Sequence, residues 1–152
     1  QWPLPSHAVS PESRAGRDQI VTEWNRDLIS HRMARASETL EDARVLARAE
    51  RWNACVNRLY YACFYAISAL LMLDGLTSSK HAGVRSIFNK QYVKAGKIPK
   101  YLARIYNDLF ERRQESDYMD FVDFQRDQVL PWISEAEKLV SHIADMIKKQ
   151  TS

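Results

Sequence analysis

Glycine and proline are scarce in this chain, at 4 and 5 of 152 residues. A sheet-rich fold needs such residues at short intervals for its turns. Their shortage therefore argues against an all-β protein and for a few long helices. Cysteine is rarer still, with only Cys55 and Cys63. On one helix the two would stand ~12 Å apart at ~1.5 Å per residue, too far for a disulfide. Two unpaired thiols fit a reducing, cytoplasmic compartment. No run reaches the ~18 apolar residues of a membrane-spanning helix, so no membrane contact is expected. The most apolar window, "YYACFYAISALLML" at 60–73, reads as a buried helix. The N-terminus lacks the basic, then apolar, then small-residue order of a signal peptide.

Several chemistries are missing too. A helical bundle can hold two metal ions through Glu-x-x-His pairs on facing helices, but no Glu here has a His three residues later. There is no Cys-x-x-Cys, no His pair with metal spacing, and no glycine-rich phosphate loop. No metal and no cofactor are expected. Both cysteines lie on the helix that reads as most buried, where a thiol behaves as a small hydrophobe rather than a nucleophile.

What is present is helical periodicity. Residues 1–21 hold three of the five prolines, show no apolar period, and read as a tail or linker. Val21 fits a GTG start, which would place the residues before it outside the native protein. Residues 22–150 read as one domain. From about Glu23, apolar residues recur at Met33, Ala36, Leu40, Ala43 and Ala47, one face of a first helix. A second spans Trp52 to Leu73; Gly75 suits its C′ position, and Ser78 or Ser79 suits the N-cap of the next. The third runs from about Lys80 to Val93 with Val84, Ile87 and Phe88 inward. The fourth begins near Pro99 and turns Leu102, Ile105, Tyr106 and Leu109 inward. The last spans about Phe121 to Lys149 along Val129, Ile133, Ala136, Val140, Ile143 and Ile147, with Pro131 kinking it or delaying its start. Short connections between these predict an all-α, antiparallel up-down bundle of about five helices.

The net charge of +3 is unevenly spread. Residues 1–79 carry nine basic and nine acidic side chains, and residues 114–152 carry four and eight. Between them, residues 80–113 carry nine basic side chains, including Arg85, Arg112 and Arg113, against two acidic ones. Such a segment can bind a polyanion, pair with the acidic end of a second copy, or simply be a solvated face.

Three blocks stand in order along the chain. They are Arg58, Tyr60, Tyr61 and Ala62; then Ser79 and His81; then Arg113, Asp117 and Tyr118. Together, over about residues 30–148, they resemble the HEPN domain (higher eukaryotes and prokaryotes nucleotide-binding), in its small prokaryotic branch. The resemblance implies a helical bundle, a homodimer, and a module of the toxin–antitoxin or defence kind. The partner in such modules is a minimal nucleotidyltransferase (MNT). Many HEPN relatives are metal-independent RNases with an Arg-x4–6-His motif. In that motif the Arg would hold the scissile phosphate and the His would move protons. Here Tyr118 stands where that His would be, and a tyrosine with a pKa near 10 is a poor base at neutral pH. A literal Arg-x4-His, Arg26 to His31, lies before the matched blocks and is of a kind expected once by chance in a chain with 14 arginines.

Three functions follow. The first is RNA or nucleotide binding by Arg58, Tyr61, Arg85, Arg112, Arg113, Asp117 and Tyr118, with Tyr118 a candidate for modification by an MNT partner. The second is a rewired RNase in which His81 joins Arg113 as a catalytic pair, provided that both reach one cleft. The third is a purely protein–protein interaction module. A non-enzymatic role is the leading expectation. The bland alternatives are an i,i+4 ion pair for Arg113 and Asp117, and a core role for at least one of Tyr60 and Tyr61.

Overall fold

The computed structural model describes the backbone of residues 11–118 and 122–151, and the side chains of residues 23–115 and 122–151. Among these residues it is an all-α antiparallel bundle with no strand. Its helices are α1 (Pro11–Arg48), α2 (Trp52–Leu73), α3 (His81–Phe88), α4 (Lys100–Tyr118) and α5 (Arg126–Thr151). A π-helical turn, Asn89–Val93, extends α3. Helical backbone begins at Pro11, so α1 overlaps the expected tail over residues 11–21. That segment holds few apolar residues and none at helical spacing before Ile20, and a helix without an apolar stripe leaves no period to read.

The apolar helix α2 is the centre, packed by α1, α3, α4 and α5. By length and composition α2 could also cross a bilayer, but most of its surface lies inside the bundle. Leu59, Tyr60, Ile67, Leu70 and Leu71 are among its fully buried side chains. The other helices turn their apolar stripes onto it: Ala36, Leu40 and Ala43 from α1, Leu102, Ile105, Tyr106 and Leu109 from α4, Ala136, Leu139 and Ile143 from α5. Met33, Ala47, Ile87 and Ile133 pack at its edge. Cys55 and Cys63 are buried and unbridged. Burial pushes their thiols up to about 11 and about 12, so neither is a thiolate near neutral pH.

The ends of the helices explain the connections. At the end of α1, Arg51 N–H donates to Leu46 C=O (2.9 Å) and Glu50 N–H to Ala47 C=O (3.0 Å). This Schellman turn puts Glu50 at C′ with φ 57°, a place that favours glycine. α2 ends the same way with the expected residue: Gly75 has φ 72°, and Leu76 N–H reaches Leu71 C=O at 2.8 Å. The expected serine cap of α3 is corrected. The N-cap is Lys80, without a side-chain cap bond. Ser78 Oγ instead bonds the Lys80 backbone, both N–H and C=O at 3.3 Å. Ser78 also sits tight over the first turn of α3, where a Cβ on Gly83 would collide with it.

α5 starts at Arg126, later than the expected Phe121, which lies outside the described residues; Pro131 is within the helix. At the start of α5, Gln128 reaches back to accept the Gln125 N–H at 2.8 Å, half of a capping box. Asn53 fastens the preceding loop. Its Nδ2 donates to Val122 C=O at 3.1 Å, and its Oδ1 accepts Phe124 N–H at 2.9 Å. An ion pair between Arg44 and Glu137 ties α1 to α5.

Candidate functional site: a basic and aromatic cluster around Tyr60

Helical spacing builds the cluster. Tyr60, Tyr61 and Phe64 are neighbours on α2, and Tyr106, Phe110 and Arg113 share one face of α4 at i, i+4 and i+7. His81 enters as the first residue of α3. The Tyr60 ring is the pivot, fully buried at 0% exposure. It stacks on Tyr106 at 5.8 Å between centroids and meets Tyr61 edge-on at 5.1 Å. The Arg113 guanidinium lies 4.4 Å over the Tyr60 ring and 5.8 Å from that of Tyr61. These are cation–π distances.

His81 is held on two sides. Its ring stacks on Phe64 at 4.2 Å and 7° between planes. Its Nδ1 lies 2.8 Å from the Tyr60 hydroxyl. Burial, more than the nearby Arg113 charge can offset, pushes the Tyr60 hydroxyl up to about 12, so it keeps its proton. Leaving that buried O–H without an acceptor would cost ~1–3 kcal/mol. Where the hydroxyl donates, Nδ1 accepts and the neutral imidazole carries its own proton on Nε2; where Nδ1–H donates, the hydroxyl accepts. Burial, and then the Arg113 charge, lowers the His81 pKa below its ordinary value. Tyr106, buried against Tyr60, is pushed upward by burial and stays protonated.

The candidate residues named from the sequence are placed unequally. Arg113 and His81 do reach one place, the two sides of Tyr60. Arg58 and Tyr61 join them: the Arg58 guanidinium is 5.1 Å from the Tyr61 ring centroid, and it donates to Asn57 Oδ1 at 2.8 Å. Arg85 stands at the flank and is engaged within the chain. It lies 4.4 Å over Phe110, donates to Asn107 Oδ1 at 3.0 Å, and pairs with Glu111 at 2.9 Å. Arg112 is exposed and pairs with Glu115 at 3.3 Å, with no contact to Tyr60, Tyr61 or His81 among the described residues. Asp117 and Tyr118 are helical in backbone, and their side chains lie outside the described residues. That leaves the Arg113–Asp117 ion pair and the surroundings of Tyr118 outside them as well. Arg26 and His31, both on α1, line two different clefts. No group of His, Cys, Asp and Glu able to hold a metal occurs among the described residues.

Sequence reasoning missed Phe64, Tyr106 and Phe110 as parts of this site. The signal was there for α4, because 106, 110 and 113 share a face. For Phe64 it was absent, since only the packing of α3 against α2 brings His81 onto that ring.

Comparison with known proteins identifies the family. The HEPN domain family profile matches residues 29–146. A "UPF0332 protein" of Thermotoga maritima is 42% identical over 132 residues, covering 87% of this chain and 94% of its own. The "Putative toxin MJ0605" of Methanocaldococcus jannaschii is 32% identical over 114 residues, covering 75% of this chain and 84% of its own. A second protein of that organism, "Putative toxin MJ0142", is 29% identical over 94 residues, covering 62% of this chain and 64% of its own. With more than half of its length matched by the family profile, the chain belongs to the HEPN domain family.

Proposed function

We propose that this protein is the RNA-binding HEPN component of a toxin–antitoxin or defence module. It acts as a homodimer whose partner is a minimal nucleotidyltransferase, in a reducing, cytoplasmic setting. Two relatives carry toxin in their names, which supports the module. The RNA reading rests on one observation: the Arg113 guanidinium lies over the ring of Tyr60, whose hydroxyl is bonded to His81 Nδ1, so a cation and an imidazole share one aromatic residue. A guanidinium suits a phosphodiester oxygen pair. Aromatic edges at Tyr61 give a base a surface to stack on. Tyr118, on the last turn of α4, is the acceptor for a nucleotidyl group from the partner, and Asp117 shares that turn with it.

A second reading is a metal-independent endoribonuclease that uses Arg113 and His81. The convergence of the two on Tyr60 favours it. Against it stands the Tyr60 hydrogen bond. A general base must offer a lone pair, and where the hydroxyl donates, the neutral His81 spends its lone pair on Tyr60. The test is to incubate purified protein with total RNA, beside the Arg113→Ala and His81→Ala variants. Salt-sensitive binding that both variants weaken, without cleavage, is the expected result. Cleavage by the wild type that both variants lose would establish the nuclease instead. No RNA binding at low salt would leave an interaction module.

A further inference from the structure

A cleft of about 370 Å³ opens between α1 and α2, next to the Tyr60 cluster. Its size falls in the ~300–1,000 Å³ range of small-ligand sites. The α1 wall carries two cations, Arg32 and Arg35, with His31 beside them on the same helical face. The α2 wall is aromatic and bears a hydroxyl: Phe64, Tyr65 and Ser68. No Asp or Glu lines it among the described residues. Two other clefts differ, since the one beside Tyr101 holds Glu137 and Asp145, and the one beside Asn53 holds Glu50 and Asp123; a third, beside Arg26 and Lys148, shares the absence of acids but has no aromatic wall.

The charges of this cleft are also uncommitted to acids. Arg44, Arg48, Arg85 and Arg112 all pair with a glutamate. Arg32 and Arg35 have no acidic partner among the described residues. Arg35 rests on neutral Tyr65, 5.1 Å over its ring, and donates to its hydroxyl at 3.3 Å. Ser68 is 6% exposed, lines the cleft, and makes no hydrogen bond among the described residues. Phe64 joins this cleft to the cluster, since it lines the one and stacks on His81 of the other. Ser78, on the cleft rim, lies over the first turn of the helix that His81 begins.

We propose that this cleft is a second nucleotide subsite, occupied by the same single-stranded RNA whose phosphate sits at Arg113 and His81. The base lies on the Phe64 and Tyr65 side and meets the Ser68 hydroxyl, and the phosphate faces Arg32 and Arg35. The proposal rests on the RNA reading of the Tyr60 cluster. A free nucleoside monophosphate shares the same chemistry.

The experiment is fluorescence anisotropy with labelled single-stranded RNA of ~8 nucleotides, a dinucleotide and a mononucleotide, each over a salt series. The proteins are the wild type, Arg113→Ala, and the double variant Arg32→Ala/Arg35→Ala. Circular dichroism checks their folding; Arg35 is exposed and Arg32 half-exposed, so both changes are at the surface. The double variant should bind the longer RNA at least tenfold more weakly. Its log–log salt slope should fall by about 1.4, at ~0.7 for each single-strand phosphate that the protein ceases to neutralise. Its dinucleotide affinity should be unchanged. Arg113→Ala should weaken both RNAs. If the double variant binds like the wild type while Arg113→Ala fails, the subsite is refuted and the RNA reading stands. If only the double variant weakens binding, the cleft is the site and the Arg113 reading falls. A mononucleotide that binds as tightly as the longer RNA would overturn the continuous strand in favour of a free nucleotide.

Discussion

Replacing Tyr60 by Phe tests the assignment on which the site depends. The change removes one oxygen and keeps the ring, so the stacks on Tyr106 and Phe64 and the cation–π approach of Arg113 remain. What disappears is the bond to His81 Nδ1, 2.8 Å long and part-buried, between the buried Tyr60 and the half-buried His81. A neutral hydrogen bond contributes ~0.5–1.5 kcal/mol net. The buried Tyr106 hydroxyl also loses the polar atom that it faces. Together the cost is about 1–2 kcal/mol, or a fall in Tm of about 2–8 °C at ~2–4 °C per kcal/mol for a chain of this size. Urea or thermal unfolding measures that. Nitrogen-detected NMR of His81 measures the rest: the wild type should show the Nε2–H tautomer, and the variant a mixture of tautomers. RNA affinity should fall by only a few-fold, because the Arg113 side of the site is untouched. A variant as stable as the wild type, or an Nδ1–H tautomer in the wild type, would refute the argument.

Three further perturbations check other parts of the molecule. Glu50 at φ 57° is a strained C′ residue. Glu50→Gly should therefore stabilise by about 0.5–1 kcal/mol after its greater unfolded-chain entropy is counted, raising the urea midpoint; Glu50→Ala should not. Because the folded pKa of His81 is lowered, the unfolded chain binds the proton first as pH falls below ~6.5. The His81 contribution to stability is full above that pH and is lost as pH falls from there to the folded pKa, so His81→Gln should flatten this part of the urea-midpoint profile. Asn53→Ala removes the bonds to Val122 C=O and Phe124 N–H. It should cost about 1–3 kcal/mol and speed amide exchange at residues 122–125, leaving the centre of α2 protected.

The helices were legible because their apolar spacing survives translation into packing. Leu102, Ile105, Tyr106 and Leu109 were read as inward from a 3–4 period, and all four are buried. Gly75 at C′ was legible for a similar reason, since the left-handed backbone there selects a residue without a Cβ. Glu50 in the same place at the end of α1 was not, because nothing in its side chain announces φ 57°. The α3 cap was misread because a serine near a helix start has two options, and Ser78 takes the Lys80 backbone rather than the first-turn N–H groups. The early start of α1 was missed because a polar helix has no period to detect.

For the site the division falls elsewhere. The sequence by itself determined the family, the all-α architecture and the two unpairable thiols, and it picked out Arg58, Tyr61, His81 and Arg113 as candidates. Each follows from local spacing or from blocks read in order. Only tertiary structure decided that His81 and Arg113 meet at Tyr60, that Arg85 and Arg112 are paired within the chain, and that Arg32 and Arg35 face an aromatic cleft without an acid. Those facts depend on how α1, α3 and α4 seat on α2. A residue's partners across a helix interface are set by the angle and depth of packing, which no period along one strand of sequence encodes.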